Sequence, residues 1–390
     1  MTRLAVALML MIMSACAQAH TRSYSYSLWE FDRTPYELTV RISQYDLTRL
    51  GLHPSYSQDY GARIVELVKQ NVTASAGESR CQLGAPEFSL AADGWIAVRA
   101  VMKCAESSPV VIRSSLLLDV VSAHLHFVAV KDATGNVTEK VLTESDNQWQ
   151  IITSASGVAA DASNEVVSYW LLGIEHILSG WDHLAFVLGL LLLANSLSQL
   201  AWLVTGFTLA HSVTLAMAVL GQVQPLMSAV EAMIGLSILL VAAEYAWEKQ
   251  GKRLLIPLAL CVGLLFLALL QPPGVPVMAL LSVTLFIGCY FAVLKLSGKP
   301  ERWRLLVAFA FGLFHGFGFA GILADMSLPD GRVVSALFGF NLGVECGQLL
   351  FIALLWPLVR LTSKKFSLEQ LSTTTLAALG TFWFVTRAFT

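Results

Sequence analysis

Charged side chains are scarce in this 390-residue chain. Asp, Glu, Lys and Arg make up 13% of the residues, 56% are hydrophobic, and the mean hydropathy is +0.65. This composition excludes an ordinary soluble domain and a disordered chain, because both need many more polar residues. The net charge of −2 also leaves no surplus of basic residues to neutralise nucleic-acid phosphates. We therefore predict a protein of the lipid bilayer with no nucleic-acid partner.

Motifs of several soluble enzyme classes are missing as well. The six cysteines include no C-x-x-C pair, which excludes zinc-ribbon and thioredoxin-type sites. The sequence contains no nucleotide-binding P-loop pattern and no H-E-x-x-H zinc motif. Any transport would therefore draw its energy from the membrane potential, an ion gradient or downhill flow.

The N-terminal residues have the pattern of an export signal. A basic start precedes the apolar run Leu4–Met13, and Ala17–Ala19 has the small-x-small form of a signal-peptidase site. We predict a signal peptide over residues 1–19 and a mature chain that begins at His20. A lipoprotein site at Cys16 is the alternative, and either one exports the segment that follows.

Residues 20–165 regain charge and alternate apolar and polar residues with period two, which predicts a mainly-β (α+β) domain. The first two expected strands, 24–28 and 36–42, are taken as half-buried, and further strands are expected at 95–103, 110–119, 124–131 and 149–153. An apolar stripe through Ile64 and Val68 predicts one helix. Cys81 and Cys104 are the only cysteines of this domain, so in an oxidising compartment they are predicted to form a disulfide.

Histidines of the exported domain offer one interpretation as a metal-capture site. His124 and His126 are two residues apart, so they lie on one face of a strand. A free amino terminus at His20 would add a chelating imidazole. The alternative is that the pair only lines a sheet surface and that His20 is incidental.

Residues 166–390 carry apolar runs near the length of about 20 residues that crosses a hydrocarbon core of about 30 Å. The predicted spans are 168–194, 199–220, 226–247, 254–270, 275–296, 303–324, 332–360 and 370–389. The fourth is short and the last is weakly apolar, so seven spans are the alternative to eight. The fold class is thus a polytopic α-helical membrane bundle behind an exported domain.

Basic residues between the spans indicate the orientation. If the first span runs inward from an exported domain, most of these residues fall on the cytoplasmic side. They are Lys249, Lys252, Arg253, Lys295, Lys299, Arg302, Arg304, Arg360, Lys364 and Lys365. Arg332 and Arg387 fall on the outer side. The asymmetry predicts a bacterial cytoplasmic membrane protein with a periplasmic N-terminal domain.

Several ionisable side chains lie inside the predicted spans, where each costs at least about 2.5 kcal/mol on insertion scales. Imidazole and carboxylate groups are ligands of first-row divalent metals, and no basic residue inside a span is expected to pair with the carboxylates. The candidate metal ligands are His176, Asp182, His183, His211, Glu231, His315 and Glu345. The alternative is hydrogen bonding between packed helices. Glu244 and Glu248, near the cytoplasmic end of the third span, are expected to reach water.

The spacing of the first three candidates favours a shared site. His176 and His183 are seven residues apart and lie on one face of a continuous helix. Asp182 then points about 100° away, towards a neighbouring imidazole or a substrate. A weak echo, His211 then Glu231 and His315 then Glu345, suggests a parallel repeat that brings two His/Glu pairs to one centre.

The stretch from His176 to His183 reads H-x5-D-H and resembles the signature of the HupE/UreJ family of bacterial membrane proteins. The segments around His211, His315 and Glu345 resemble larger members that carry an exported domain. The family is associated with hydrogenase and urease maturation and with nickel, or more broadly divalent-metal, permeases. The resemblance implies that His176, Asp182 and His183 match the metal motif of the family.

We expect a divalent transition-metal permease of nickel type, with Ni, Co, Cu or Zn as the ion and an exported protein or metallochaperone as a further partner. A membrane-embedded metal-dependent hydrolase is the first alternative, with Glu231 or Glu345 as the general base. A metal-binding receptor that does not transport is the second. Ligand type does not separate these metals, because their coordination preferences overlap.

Overall fold

The structure of the protein is a computed structural model. The structure describes residues 23–32, 35–54, 59–77, 79–91, 94–104, 109–121, 124–135, 137–151, 153–154, 157–158, 165–223, 225–324, 330–362 and 366–389. The predicted signal peptide and His20 lie outside the described residues. The described chain forms two compact units, an N-terminal β unit and a C-terminal helical unit, with the boundary in the sequence at Ser168.

The N-terminal unit contains two main sheets and a short hairpin. Its strands are β1 Tyr24–Glu30, β2 Tyr36–Ser43, β3 Val72–Ala76, β4 Ser79–Arg80, β5 Gln82–Leu83, β6 Glu87–Leu90, β7 Trp95–Lys103, β8 Val110–Ser114, β9 Leu125–Lys131, β10 Val137–Leu142, β11 Gln148–Ile151, β12 Thr153–Ser154 and β13 Gly157–Val158. The larger sheet has the order β10-β9-β1-β2-β7-β5, with β6 also paired to β7. The second sheet has the order β11-β8-β3-β4, and β12 pairs with β13. Strand β1 runs parallel to β9 and antiparallel to β2, so the larger sheet is mixed.

Two helices accompany these sheets, α1 Gln44–Thr48 and α2 Tyr60–Asn71. Helix α2 buries Ile64 and Val68, the two positions of its predicted apolar stripe. Their side chains join a core of residues from both sheets, including Trp29 and Ile112. The prediction of a mainly-β unit with a helix is confirmed.

The disulfide prediction is confirmed too. Cys81 and Cys104 are bonded, with an S–S distance of 2.01 Å. Cys81 immediately precedes β5 and Cys104 immediately follows β7, and these two strands pair with each other. The bond therefore ties two neighbouring strand ends together.

Strand β1 is half-buried, as predicted, but its buried face is the one that carries the serines. Ser25, Ser27 and Trp29 are each at most 1% exposed, whereas Tyr24 and Leu28 on the other face are partly exposed. The serines bond to the two histidines of the neighbouring chain segment. Ser23 Oγ and Ser25 Oγ lie 2.6 and 2.8 Å from Nδ1 and Nε2 of His124. Ser25 Oγ and Ser27 Oγ lie 2.7 and 3.0 Å from Nδ1 and Nε2 of His126.

This hydrogen-bonded row also decides the role of the two histidines. Every ring nitrogen of His124 and His126 has a serine hydroxyl partner, and both side chains are buried. Burial lowers the pKa of each imidazole to about 3, so both rings are neutral at ordinary pH. The metal-capture interpretation of this pair is therefore wrong, and so is its alternative as residues lining a sheet surface.

The C-terminal unit is helical throughout its described residues. Its helices are α3 Glu165–Ser179, α4 Trp181–Leu193, α5 Leu197–Val219, α6 Met227–Lys249, α7 Leu255–Leu270, α8 Val277–Leu296, α9 Pro300–Ala324, α10 Asp330–Thr362 and α11 Phe366–Ala388. Each predicted span coincides with one of these helices, except that the first is divided between α3 and α4. Gly180 separates the two and lies in extended backbone, with φ −82° and ψ 93°.

Four helices of the described residues, α5, α6, α8 and the part of α10 over Val333–Pro357, are long and apolar enough to cross a membrane. The bent pair, α3 from Val166 together with α4, qualifies as a fifth span. Helix α7 is apolar but has only 16 residues. The chain is thus a membrane protein with four or five clear spans, and the count of seven or eight stays a prediction.

Glycines allow two helix pairs to pack backbone against backbone. A Cβ built on Gly316 of α9 would collide with the His211 carbonyl oxygen of α5. A Cβ on Gly173 of α3 would collide with the Phe340 carbonyl oxygen of α10. Such contacts need a residue without a side chain, as is usual between helices in lipid. The glycines near His315 therefore serve close packing, and this packing sets the positions of the histidines.

Candidate metal centre

The break at Gly180 builds the centre of the helical unit. Helices α3 and α4 meet there at an angle of 73°, so His176 and His183 approach each other across a bend. Their ring centroids are 4.7 Å apart. The prediction that they share one face of a continuous helix is wrong, because the chain turns between them. Their proximity results from the bend and no longer from helical periodicity.

A third imidazole joins them from α5. Each imidazole of this group offers one ring nitrogen, and the three nitrogens, from His176, His183 and His211, lie within 4.8 Å of one another. All three side chains are buried. Bonds of about 2.1 Å from a metal to each nitrogen span at most about 4.2 Å, so a small closure would bring the three onto one ion. The structure thus brings together three of the seven predicted ligands as one potential metal-binding group.

His315 of α9 lies next to this group. Its ring centroid is 5.0 Å from that of His183, and its Nε2 is 3.2 Å from the hydroxyl of Ser237 on α6. Phe186 and Phe207 lie against the same imidazole, with centroids 5.3 and 4.9 Å away. His315 therefore places a fourth imidazole directly beside the first three.

Aromatic rings close the opposite side of the group. Phe319 and Phe340 stack on each other at 4.5 Å, and their ring centroids lie 4.4 and 5.1 Å from that of His176. The apolar wall keeps the local dielectric constant low, which strengthens any bond from an imidazole to a cation.

Asp182 is positioned by its own neighbour. Its Oδ1 accepts a hydrogen bond of 2.9 Å from the backbone N–H of His183 and lies 2.9 Å from Nδ1 of the same ring. The expected role in orienting an imidazole is thus present, but towards the next residue and not towards another helix. A carboxylate on Nδ1 leaves Nε2 of His183 as the ligand atom.

The expectation that the intramembrane carboxylates have no basic partner is wrong. Arg387, near the end of α11, places Nη2 3.9 Å from Asp182 Oδ2 and Nε 3.7 Å from Glu231 Oε2. It also donates a 3.1 Å hydrogen bond from Nη1 to the Glu231 carbonyl oxygen. Glu231 is therefore joined to the centre through a guanidinium group and is not itself grouped with the histidines.

Glu345 is held elsewhere on α10. Its Oε1 accepts a 2.6 Å hydrogen bond from the hydroxyl of Thr205 on α5. The neighbour that does reach a histidine is Asn341, whose Oδ1 lies 3.4 Å from Nδ1 of His211. Sequence reasoning missed this residue, because an isolated asparagine in an apolar helix shows no spacing that singles it out.

The donor set fits a borderline divalent cation. Nε2 of His183 and Nδ1 of His315 are buried and have no hydrogen-bond partner among the described residues. Leaving such atoms unpaired costs free energy, whereas a bound cation would use them. Neutral imidazoles beside one carboxylate suit Ni, Co, Cu or Zn and are unsuited to Mg or Ca, which prefer oxygen ligands.

Comparison with known families adds an independent result. The profile of the HupE / UreJ protein family matches residues 153–269 and 266–387, together most of the helical region. The chain belongs to the HupE/UreJ family. This family is associated with nickel and cobalt transport, and the resemblance found in the H-x5-D-H stretch is confirmed. No curated protein matches the chain.

In this HupE/UreJ protein a second polar group, which sequence reasoning also missed, lies in the same helical unit. Glu244, expected to reach water, is buried and forms a 2.7 Å ion pair with Nε of Arg304. Arg304, assigned above to a cytoplasmic loop, is itself buried inside α9. The two residues are 60 positions apart, so only the packing of α6 against α9 reveals the pair.

Proposed function

We propose that this chain is a divalent transition-metal permease of nickel type in the bacterial cytoplasmic membrane, with its N-terminal β unit exported. The observation that carries the proposal is the buried group of His176, His183 and His211, assembled at the bend of the H-x5-D-H stretch. Membership of a family associated with nickel and cobalt transport supports the same conclusion.

The cation is the cargo in this proposal. The three imidazoles and His315 would replace the water ligands of the ion, and Asp182 would supply negative charge and orient His183. Neutral imidazoles bind a dication without adding charge of their own. With only one carboxylate beside them, the loaded site keeps a net positive charge, which favours release of the ion over permanent retention.

The bend at Gly180 suits an alternating site. Interrupted helices are where transporters expose backbone and side chains to a substrate near the middle of the membrane. Arg387 would compete with an incoming cation for Asp182, since both are positively charged and share one carboxylate. Binding of metal is therefore expected to weaken the contact between Arg387 and Asp182.

The test is metal analysis of the purified full-length protein, followed by uptake of the metal found into sealed proteoliposomes. Wild type is expected to bind and accumulate nickel or a similar ion. The double variant His176→Ala/His183→Ala is expected to lose both properties while remaining folded. His53→Ala, which removes an imidazole from the β unit, is the matched control and should behave as wild type.

Three results would contradict the proposal. Uptake by the double variant at the wild-type rate would show that these histidines do not carry the ion. Metal that is bound but never moved would favour a metal-dependent enzyme or a receptor. Absence of metal from every preparation would reduce the histidines to a packing role.

A further inference from the structure

A buried ion-pair network lies in α6, α8 and α9. Arg304 places Nε 2.7 Å from Glu244 Oε1 and Nη2 2.6 Å from Glu248 Oε1. The hydroxyl of Tyr290 on α8 donates a 2.6 Å hydrogen bond to Glu244 Oε2. Two carboxylates share one guanidinium, so the network has room for additional positive charge.

The network lies towards the opposite end of α6 from Glu231 and Arg387. Glu231 and Glu244 are thirteen positions apart, which corresponds to about 20 Å along a helix. Ser237, which contacts His315, lies between them. Helix α6 therefore carries a carboxylate near each end and a contact to the histidine group in its middle.

A small cavity lies beside the network, on the side of Phe186. Its volume of about 10 Å³ is enough for roughly one water molecule. Glu244, Tyr290 and Arg304 line it together with Phe186 and Phe311. The Phe186 ring also lies 5.3 Å from that of His315. One phenylalanine layer thus separates the imidazoles from the carboxylates.

The far side of the network reaches solvent. The side chain of Glu248 is 32% exposed, whereas those of Glu244 and Arg304 are each 3% exposed. A histidine, a phenylalanine layer, a buried carboxylate and an exposed carboxylate therefore follow one another from the centre of the unit to one end of α6.

We propose that Glu244 and Glu248 form a second station for the divalent cation, with Arg304 as the counter-ion that occupies it when no metal is present. This inference rests on the proposed function. A dication that leaves the imidazoles needs anionic oxygen ligands, because the surrounding apolar side chains cannot solvate it. Arg304 then returns to both carboxylates and displaces the cation towards water.

A purely structural role makes a different prediction. Replacing a buried ion pair by apolar residues of similar size is often neutral or stabilising, so Glu244→Met/Arg304→Met should fold. If the pair only holds α6 against α9, this variant transports as wild type. If the pair is a station, the variant keeps its metal at the histidine group but loses transport.

The experiment measures nickel binding by equilibrium dialysis and nickel uptake into proteoliposomes for the full-length chain and its variants. We expect Glu244→Met/Arg304→Met and Glu244→Gln to bind nickel within about twofold of wild type and to transport it at least tenfold more slowly. Equal uptake by wild type and the double Met variant would overturn the station alone. No uptake by wild type would overturn the proposed function and the station with it.

A labelling measurement provides a readout that does not depend on transport. Ala308 lines the cavity and is 1% exposed, whereas Ala268 does not line it and is 6% exposed. Each is changed to Cys in a chain without the free cysteines Cys261, Cys289 and Cys346. A small water-soluble thiol reagent should label Ala308→Cys at least tenfold faster than Ala268→Cys, and nickel should slow that reaction. Equal labelling rates at the two positions, or a labelling rate of Ala308→Cys that nickel does not change, would contradict the second station.

Discussion

Acid is expected to open the N-terminal β unit through His124 and His126. The pKa of each imidazole is about 3 in the folded protein, against 6.5 in an unfolded chain. Because the folded pKa is depressed, the unfolded state binds more protons as the pH falls through 6.5 towards 3. The contribution of the two histidines to the stability of the β unit is therefore fully present above about pH 6.5 and is lost progressively below it.

The hydrogen-bonded row explains why the folded state resists protonation. Trp29 donates from Nε1 to Ser27 Oγ at one end, and the Asp46 side chain is hydrogen-bonded to Ser23 at the other. With Asp46 ionised, Ser23 must donate to it, so each imidazole donates from Nδ1 and accepts at Nε2 along the row. A protonated imidazole donates from both ring nitrogens, but its Nε2 faces a serine hydroxyl that already donates to it. Protonation would therefore break this order.

The magnitude follows from linkage. At pH 5 each histidine lowers the free energy of unfolding by about 2 kcal/mol relative to neutral pH, and the two together lower it by about 4 kcal/mol. Burial raises the pKa of Asp46 from its usual 3.8, so protonation of this carboxyl offsets part of the loss at lower pH.

Hydrogen exchange of the full-length protein in detergent measures this effect. After correction for the intrinsic rate, amides of β1 and β9 should lose about two to three orders of magnitude of protection between pH 7 and pH 5. Single variants His124→Gln and His126→Gln should each show about half the pH dependence. Protection that does not change with pH in wild type, or an undiminished slope in both variants, would refute the reasoning.

Three further changes test the remaining contacts. Gly180→Ala should weaken metal binding at least tenfold, because its Cβ would lie 2.9 Å from Nδ1 of His183. A dialysis isotherm that matches wild type would contradict this. Arg387→Gln should tighten metal binding by up to about fivefold, as expected when a partly exposed competing cation leaves Asp182, and weaker binding would argue against competition. Cys81→Ser should lower the free energy of unfolding of the β unit by about 3 kcal/mol in hydrogen exchange, and unchanged protection would contradict that estimate.

Local patterns in the sequence determined the classes of structure and the position of the motif. Period-two alternation is a property of neighbouring residues, so it revealed the strands around Tyr36 and Trp95 and the stripe of α2 without any tertiary information. Apolar length located the helices, and the two cysteines of the N-terminal unit could pair only with each other. The H-x5-D-H stretch sufficed to place the chain in its family.

Tertiary structure decided which polar groups meet. The bend at Gly180 depends on the helices packed around it, so periodicity along one helix could not place His176 beside His183. The burial of the β1 serines depends on β9, about a hundred residues away. The carboxylate partners of Arg304 and Arg387 also lie far from them in the sequence. Charge pairing depends on distance in space, and composition and spacing along the chain do not contain that distance.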